Sequence, residues 1–177
     1  MINLKIAKKS AEDFLRHVAP RFELRFGGTI KSVEQMDSDI LRAFDRAGID
    51  AFRFHSNGIQ GIASRVVSTN YGPSFTVRHT YYDGNDEKTD CEYAKKLYAI
   101  KNPGDHDFFP HFSVQSFITD SQCHWSIVVD TKDLLLFIEK NKNKSIVGNH
   151  FNRHGGTRFY SVDCEILAES GVVVHKL

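Results

Sequence analysis

Cysteine is scarce in this chain, and what there is does not pair. Cys91, Cys123 and Cys164 are dispersed, with no Cys-x-x-Cys spacing. An odd, scattered set argues against a disulfide framework and fits reduced thiols in a cytosolic protein. Long apolar runs are missing as well: none approaches the ~20 residues that cross a bilayer. The opening MINLKIAKKS lacks the apolar core of a secretory signal. The cytoplasm is therefore the expected compartment, with no membrane partner. Neither sign of charge dominates, since 23 Lys and Arg face 22 Asp and Glu. Bulk charge selects no partner, and the local distribution carries the information. The G-x-S-x-G elbow, the P-loop and G-x-G-x-x-G are absent. A Cys–His or Ser–His pair assembled from distant parts of the chain stays open.

What is present suffices for one core. The 177 residues are 41% hydrophobic and 12% aromatic, which predicts a single domain over 1–177. Its expected parts are an N-terminal helical segment to residue 30, a core over 33–138, and a basic loop with closing strands over 139–177. Ser10 to Val18 reads as a short helix with Ser10 as N-cap, interrupted by Pro20, and the FGG at 26–28 marks a turn. Val33, Met36, Ile40, Phe44 and Ala47 recur at helical spacing, with Gly48 placed as a C-terminal cap.

The period then changes to two. Ala51, Arg53 and His55 alternate with Phe52 and Phe54, and Asn57-Gly58 signals a hairpin into IQGIASRVVS. Gly61 in that return strand implies a close neighbour over it. A third strand over 74–82 places Thr76, Arg78 and Thr80 on one face. YDGNDEKTD reads as a polar loop, and a helix from Thr89 buries Tyr93, Leu97 and Ile100. HFSVQSFI and CHWSIVVD form a second hairpin, a helix capped by Thr131 follows, and TRFYSV and GVVVHKL close the chain. Clustered strands with interspersed helices predict an α/β (α+β) fold, a mixed central sheet flanked by helices.

A helix leading into Gly-Ile-Asp50, then a hairpin, then a strand ending on Arg65 resembles the PD-(D/E)XK, or restriction-endonuclease-like, superfamily. The resemblance spans residues 33 to 138 in element order. It implies that fold, and a site in which an Asp opening one strand and a Glu-x-Lys on the next hold a divalent metal against a scissile phosphate. Two carboxylates converging on one hard cation need alternate positions on paired strands. Asp50 matches the first element. The (D/E)XK position falls on Ala63-Ser64-Arg65, where Ala63 has no metal-binding atom and Arg65 is a phosphate contact and a poor base. The second carboxylate must then come from a helix: Glu34, with Asp37 and Asp39 beside it, or Glu92, with Lys95 and Lys96 beside it. Gln60 and Gln115 are neutral oxygen donors on strands. The resemblance thus implies magnesium or manganese on Asp50 and Glu92, with Arg65 and Glu34 completing the candidate catalytic set. The plainer alternative makes Asp50 a strand-opening residue and Arg65 a solvated or ion-paired side chain.

The segment KNKNKSIVGNHFNRHGGTR carries Lys140, Lys142, Lys144, Arg153 and Arg158 and no acid. It reads as a phosphate-tracking loop in which Phe151 can stack on a base, with Arg78 a further phosphate contact; the competing reading is a solvated loop. Arg16, Arg21 and Arg25 extend the basic character towards the N-terminus. His150 and His154 stand at a helical step in a stretch of poor helical character, and Cys123 adjoins His124, so zinc is not expected. DGNDE at 83–87 lacks the spacing of a calcium loop. Phe52, Phe54, Phe75, Phe117 and Trp125 are assigned to the sheet core. The expected partner is nucleic acid, DNA first, acted on by a metal-dependent phosphodiesterase or bound by a module with a decayed site, and either leaves room for a homodimer.

Overall fold

The computed structural model describes residues 4–33, 48–83, 86–88, 91–103, 109–152 and 156–177. The predicted helix over 33–47 lies outside the described residues, apart from Val33 at its start. So do Glu34, Asp37 and Asp39.

The N-terminal helix is longer than its sequence suggests. Helix α1 (Leu4–Asp13) runs through a π-helical turn (Phe14–Val18) into α2 (Ala19–Phe26) without a break. Ser10 lies inside α1 and is not its cap, and Pro20 does not interrupt the helix. The reason is local. The N–H of Ala19 reaches back five residues to the Phe14 carbonyl, so the ladder is already widened where Pro20 removes a donor. Phe14, Val18 and Phe22 fall on one face and bury almost completely.

The central sheet has the order β1-β2-β3-β6-β7-β10. Its strands are β1 (Thr29–Ser32), β2 (Ala51–His55), β3 (Gly58–Val67), β6 (Pro110–Thr119), β7 (Gln122–Asp130) and β10 (Val174–Lys176). All neighbours are antiparallel except β3 and β6, which run parallel and make the sheet mixed. The β2–β3 hairpin closes on Ser56-Asn57, one residue earlier than the Asn-Gly signal, and Gly58 opens β3 opposite His55. The β6–β7 hairpin turns on Asp120 and Ser121, both at positive φ (50° and 60°), the geometry that matches strand twist.

A second sheet, β5-β4-β9-β8, stands beside the first. It comprises β4 (Ser74–Asp83), β5 (Asp86–Lys88), β8 (Gly148–Asn152) and β9 (Thr157–Asp163). The expected polar loop after β4 thus contains a short strand returning on β4, and the expected basic loop contains β8. Three more helices complete the chain: α3 (Glu92–Lys101), α4 (Thr131–Asn141) and α5 (Cys164–Glu169). The cap of α4 is Asp130, whose Oδ1 accepts from the N–H groups of Lys132 (2.8 Å) and Asp133 (3.3 Å). Thr131, the predicted cap, is buried and hydrogen-bonded to Ser113 at 2.9 Å.

Strand β7 shows why the layers stack as they do. Val128 packs with Phe14, Val18 and Phe22 of the N-terminal helices. Ile127 and Val129 point the other way, against Leu97 of α3, Leu134 and Ile138 of α4, and Phe75, Val77 and Val162 of the second sheet. A strand covered on both faces reads as a continuous apolar run, as SIVVD does. Each of these fully buried side chains is worth about 1.5–3 kcal/mol of transfer free energy. On the second sheet the alternate residues, Thr76, Arg78, Phe159 and Ser161, face away from that core into a groove. Thr80 does not share their face. The register shifts between Arg78 and Thr80, so Thr80 pairs with Arg158 while Arg78 pairs with Phe159, and Thr80 buries.

Gly61 sits where β3 passes under its neighbours. A Cβ there would lie 2.9 Å from Ile49 Cδ1 and 3.3 Å from Pro110 Cα, and Ile49 is itself buried. Gly61→Ala is expected to cost about 1–3 kcal/mol in urea unfolding through overpacking; a stability equal to wild type would show that the crowding is absent.

Candidate functional site

Asp50 is held by its backbone before its side chain matters. Its carbonyl accepts from Val33 N–H at 3.0 Å, and its own N–H donates to Ile62 O at 2.8 Å. The carboxylate turns toward β3, where Oδ2 accepts the Ser64 N–H at 2.6 Å. Just upstream, Gly48 (φ +69°) makes room for α3: a Cβ there would lie 3.0 Å from Lys96 Cε and 3.3 Å from Nζ. The α3 helix therefore brings its own charges to the head of the β2–β3 hairpin.

Those charges form a chain of contacts. Lys96 Nζ donates to Glu92 Oε1 at 2.8 Å, and Arg65 Nη2 reaches Glu92 Oε2 at 3.3 Å. Arg65 Nη1 donates to Thr76 Oγ1 at 2.8 Å. The Thr76 N–H and hydroxyl both donate to Gln115 Oε1, at 2.8 and 3.0 Å. Residues from β3, β4, β6 and α3 thus meet beside Asp50, which immediately precedes β2. Lys96 is only 4% exposed, and a buried ammonium persists only beside an anion.

The two carboxylates titrate in opposite directions. Burial opposes ionisation of Glu92, but Lys96 and Arg65 outweigh it and hold the group down at about 2. Asp50 is exposed at the entry to β2, and the protein packed around its carboxyl pushes the group up to about 6. The Ser64 N–H, Lys96 and Arg65 pull it down, and the charge on Glu92 pushes it up. At neutral pH Asp50 is thus an anion whose desolvation is only partly offset by the Ser64 N–H, Lys96 and Arg65.

That donor set suits a hard divalent cation with further oxygens supplied by a substrate. Magnesium is commonly held by one or two carboxylates plus phosphate oxygens. Asp50 and Glu92 would supply the protein oxygens, and a cation beside Asp50 would relieve its raised pKa. Among the described residues no group of three or more His, Cys, Asp and Glu is assembled, so a purely protein-built cage such as zinc or calcium takes is not offered here.

A groove of about 1050 Å³ lies between the second sheet and β3, β6 and β7; Arg65, Thr76 and Gln115 line it, and Asp50, Glu92 and Lys96 do not. Arg65 and Arg78 stand on its wall. Arg78 is half-buried, and among the described residues its guanidinium makes no hydrogen bond or ion pair. The other expected phosphate contacts do not gather there. Lys140 is exposed at the end of α4. Lys142 pairs with Glu139 at 2.9 Å, and Lys144 Nζ donates to Asn141 Oδ1 at 3.0 Å. Arg153 and His154 lie outside the described residues. Arg158 packs over the Phe151 ring, 5.3 Å from its centre. Gln60 is occupied as the acceptor of Arg53 Nη1 at 2.6 Å. Trp125, assigned to the core, is half-buried on the groove, and its Nε1 donates to Asn70 Oδ1 at 3.2 Å.

Lys96 is the residue whose part the sequence leaves least visible. Its signal is the Glu92–Lys96 spacing of four on a helix, which by itself predicts a weak surface pair. Comparison of the chain with protein-family models, curated proteins and solved structures finds no match. Glu92→Gln is expected to strip Lys96 of its anion and cost on the order of 3 kcal/mol in chemical denaturation at pH 7. Glu92→Leu combined with Lys96→Met should recover much of that loss. A single-variant cost below about 0.5 kcal/mol, typical of a solvated pair, would contradict the buried-pair assignment.

Proposed function

We propose that this chain is a nuclease-like protein acting on nucleic acid, DNA in the first instance, through a restriction-endonuclease-like site whose second carboxylate and lysine come from α3. The observation that carries the reading is the meeting of Glu92, Lys96 and Arg65 beside Asp50, with Arg65 also lining a groove that holds Arg78. Asp50 and Glu92 would hold magnesium or manganese. Such an ion stabilises charge on a phosphate oxygen and generates hydroxide from water at neutral pH. Arg65, fixed by Thr76 and Glu92, orients a phosphate, and Arg78 holds the next along the strand. Lys96 keeps Glu92 ionised and adds positive charge beside Asp50.

A second reading keeps the groove and drops the hydrolysis. Ala63 stands where the superfamily places an acid, and Glu92 is already neutralised by two side chains. The protein would then bind nucleic acid as a non-catalytic module.

Metal-dependent nicking of supercoiled DNA separates the two. The first reading expects cleavage with magnesium or manganese that Asp50→Asn abolishes. It also expects a manganese-induced rise in Tm for wild type and none for Asp50→Asn. The sign of the pH dependence follows from the raised Asp50 pKa: cleavage falls as pH drops through about 6, where the carboxylate protonates. Clean protein that never cleaves DNA or RNA, but shifts DNA in a salt-sensitive way unaffected by Asp50→Ala, would favour the binding module. Absence of both would remove both readings.

A further inference from the structure

The groove carries a feature that phosphate recognition does not require. Aromatic side chains from four elements line it: Tyr71 from the loop after β3, Trp125 from β7, Phe151 from β8 and Phe159 from β9. Tyr71 is 81% exposed and Phe151 47%. Exposing so much ring is unfavourable in water unless something covers it. Phe151 already has Arg158 over its ring and Tyr82 edge-on at 5.9 Å, so it is presented from a fixed position. Phe159 stacks with His150, with centroids 5.4 Å apart.

The groove is lined by two guanidinium groups, Arg65 and Arg78, and the one carboxylate among its described lining residues is Asp163. Its side chain is engaged at the start of α5, accepting Glu165 N–H at 2.7 Å. Cations and exposed rings on one groove suit a ligand that carries both phosphates and flat aromatic faces. A duplex hides those faces inside its stack and offers only backbone and groove edges. An unpaired strand offers both, and stacking on aromatic side chains is tolerant of base identity.

We infer that the groove takes an unpaired stretch of DNA strand, with bases against Tyr71 and Phe151 and phosphates on Arg65 and Arg78. This rests on the nucleic-acid reading above and narrows its substrate class to single strands, flaps or displaced strands. Sequence preference would be weak, because every base has a face to stack.

Fluorescence anisotropy on the full chain tests it, using a labelled mixed-sequence 20-nucleotide DNA, its annealed duplex, and an RNA of the same sequence, in EDTA so that nothing is cleaved. The single DNA strand is expected to bind at least about tenfold tighter than the duplex. Tyr71→Ala and Phe151→Ala should each weaken the single strand about tenfold and leave duplex binding unchanged, while Tyr71→Phe should retain wild-type affinity. Tyr71 is exposed enough that its replacement leaves packing intact, so a loss there is not a folding defect. Duplex binding equal to or tighter than the strand, and weakened by Arg78→Ala, would overturn the inference while leaving the proposed function standing. Preference for the RNA would overturn the assignment to DNA. Binding to none of the three would take both the inference and the nucleic-acid reading with it.

Discussion

An ammonium with almost no surface left to water must have an anion beside it, and Lys96 meets that requirement with Glu92, one turn earlier on the same helix. Much of the site follows from this pairing. Glu92 is held ionised, and its second oxygen is free to meet Arg65. Arg65, so fixed, reaches Thr76 on the second sheet, and Thr76 in turn satisfies Gln115, a buried amide on the first. One polar chain therefore joins α3, the second sheet, and strands β3 and β6 of the first. Asp50 stands beside that chain without an ion pair among the described residues: the protein packed around its carboxyl raises its pKa, Glu92 adds to the rise, and the Ser64 N–H, Lys96 and Arg65 oppose it.

The groove depends on the second sheet burying only one of its faces. Phe75, Val77 and Val162 commit one face of the second sheet to the core it shares with α3, α4 and β7. The opposite face must then be turned outward, and strand alternation delivers Thr76, Arg78, Phe159 and Ser161 to it. The bulge between Arg78 and Thr80 ends that alternation and returns Thr80 to the interior. Position along β4 thus decides which residues can meet a ligand.

Much of the core was legible because it rests on period. The hairpin after Asp50, the strand over 74–82, the β6–β7 pair and the helix over 131–141 carry alternation, helical spacing or turn chemistry strong enough to read locally. The N-terminal helix was misread at Pro20, since no local rule announces that a π turn will widen the ladder ahead of it. Strands β1, β5 and β8 went unseen, being only three to five residues long, too short for alternation to show. At the site, Asp50, Arg65, Arg78 and Glu92 were named from residue type and order. Their convergence was not visible, because it depends on where α3 crosses the hairpin. The basic run at 140–158 does not form one patch among the described residues: Lys142, Lys144 and Arg158 go to Glu139, Asn141 and the Phe151 ring.

The central claim is that Asp50, Glu92, Lys96 and Arg65 act as one electrostatic unit poised for a cation. The most direct measurement is an NMR titration of the Asp50 side-chain carboxyl carbon in wild type, in Lys96→Met, and in wild type with added magnesium. The account predicts an apparent pKa of about 6 in wild type, a higher value when Lys96 is lost, and a lower one with magnesium. An Asp50 that titrates near 3.8, its ordinary value, and responds to neither change would contradict it.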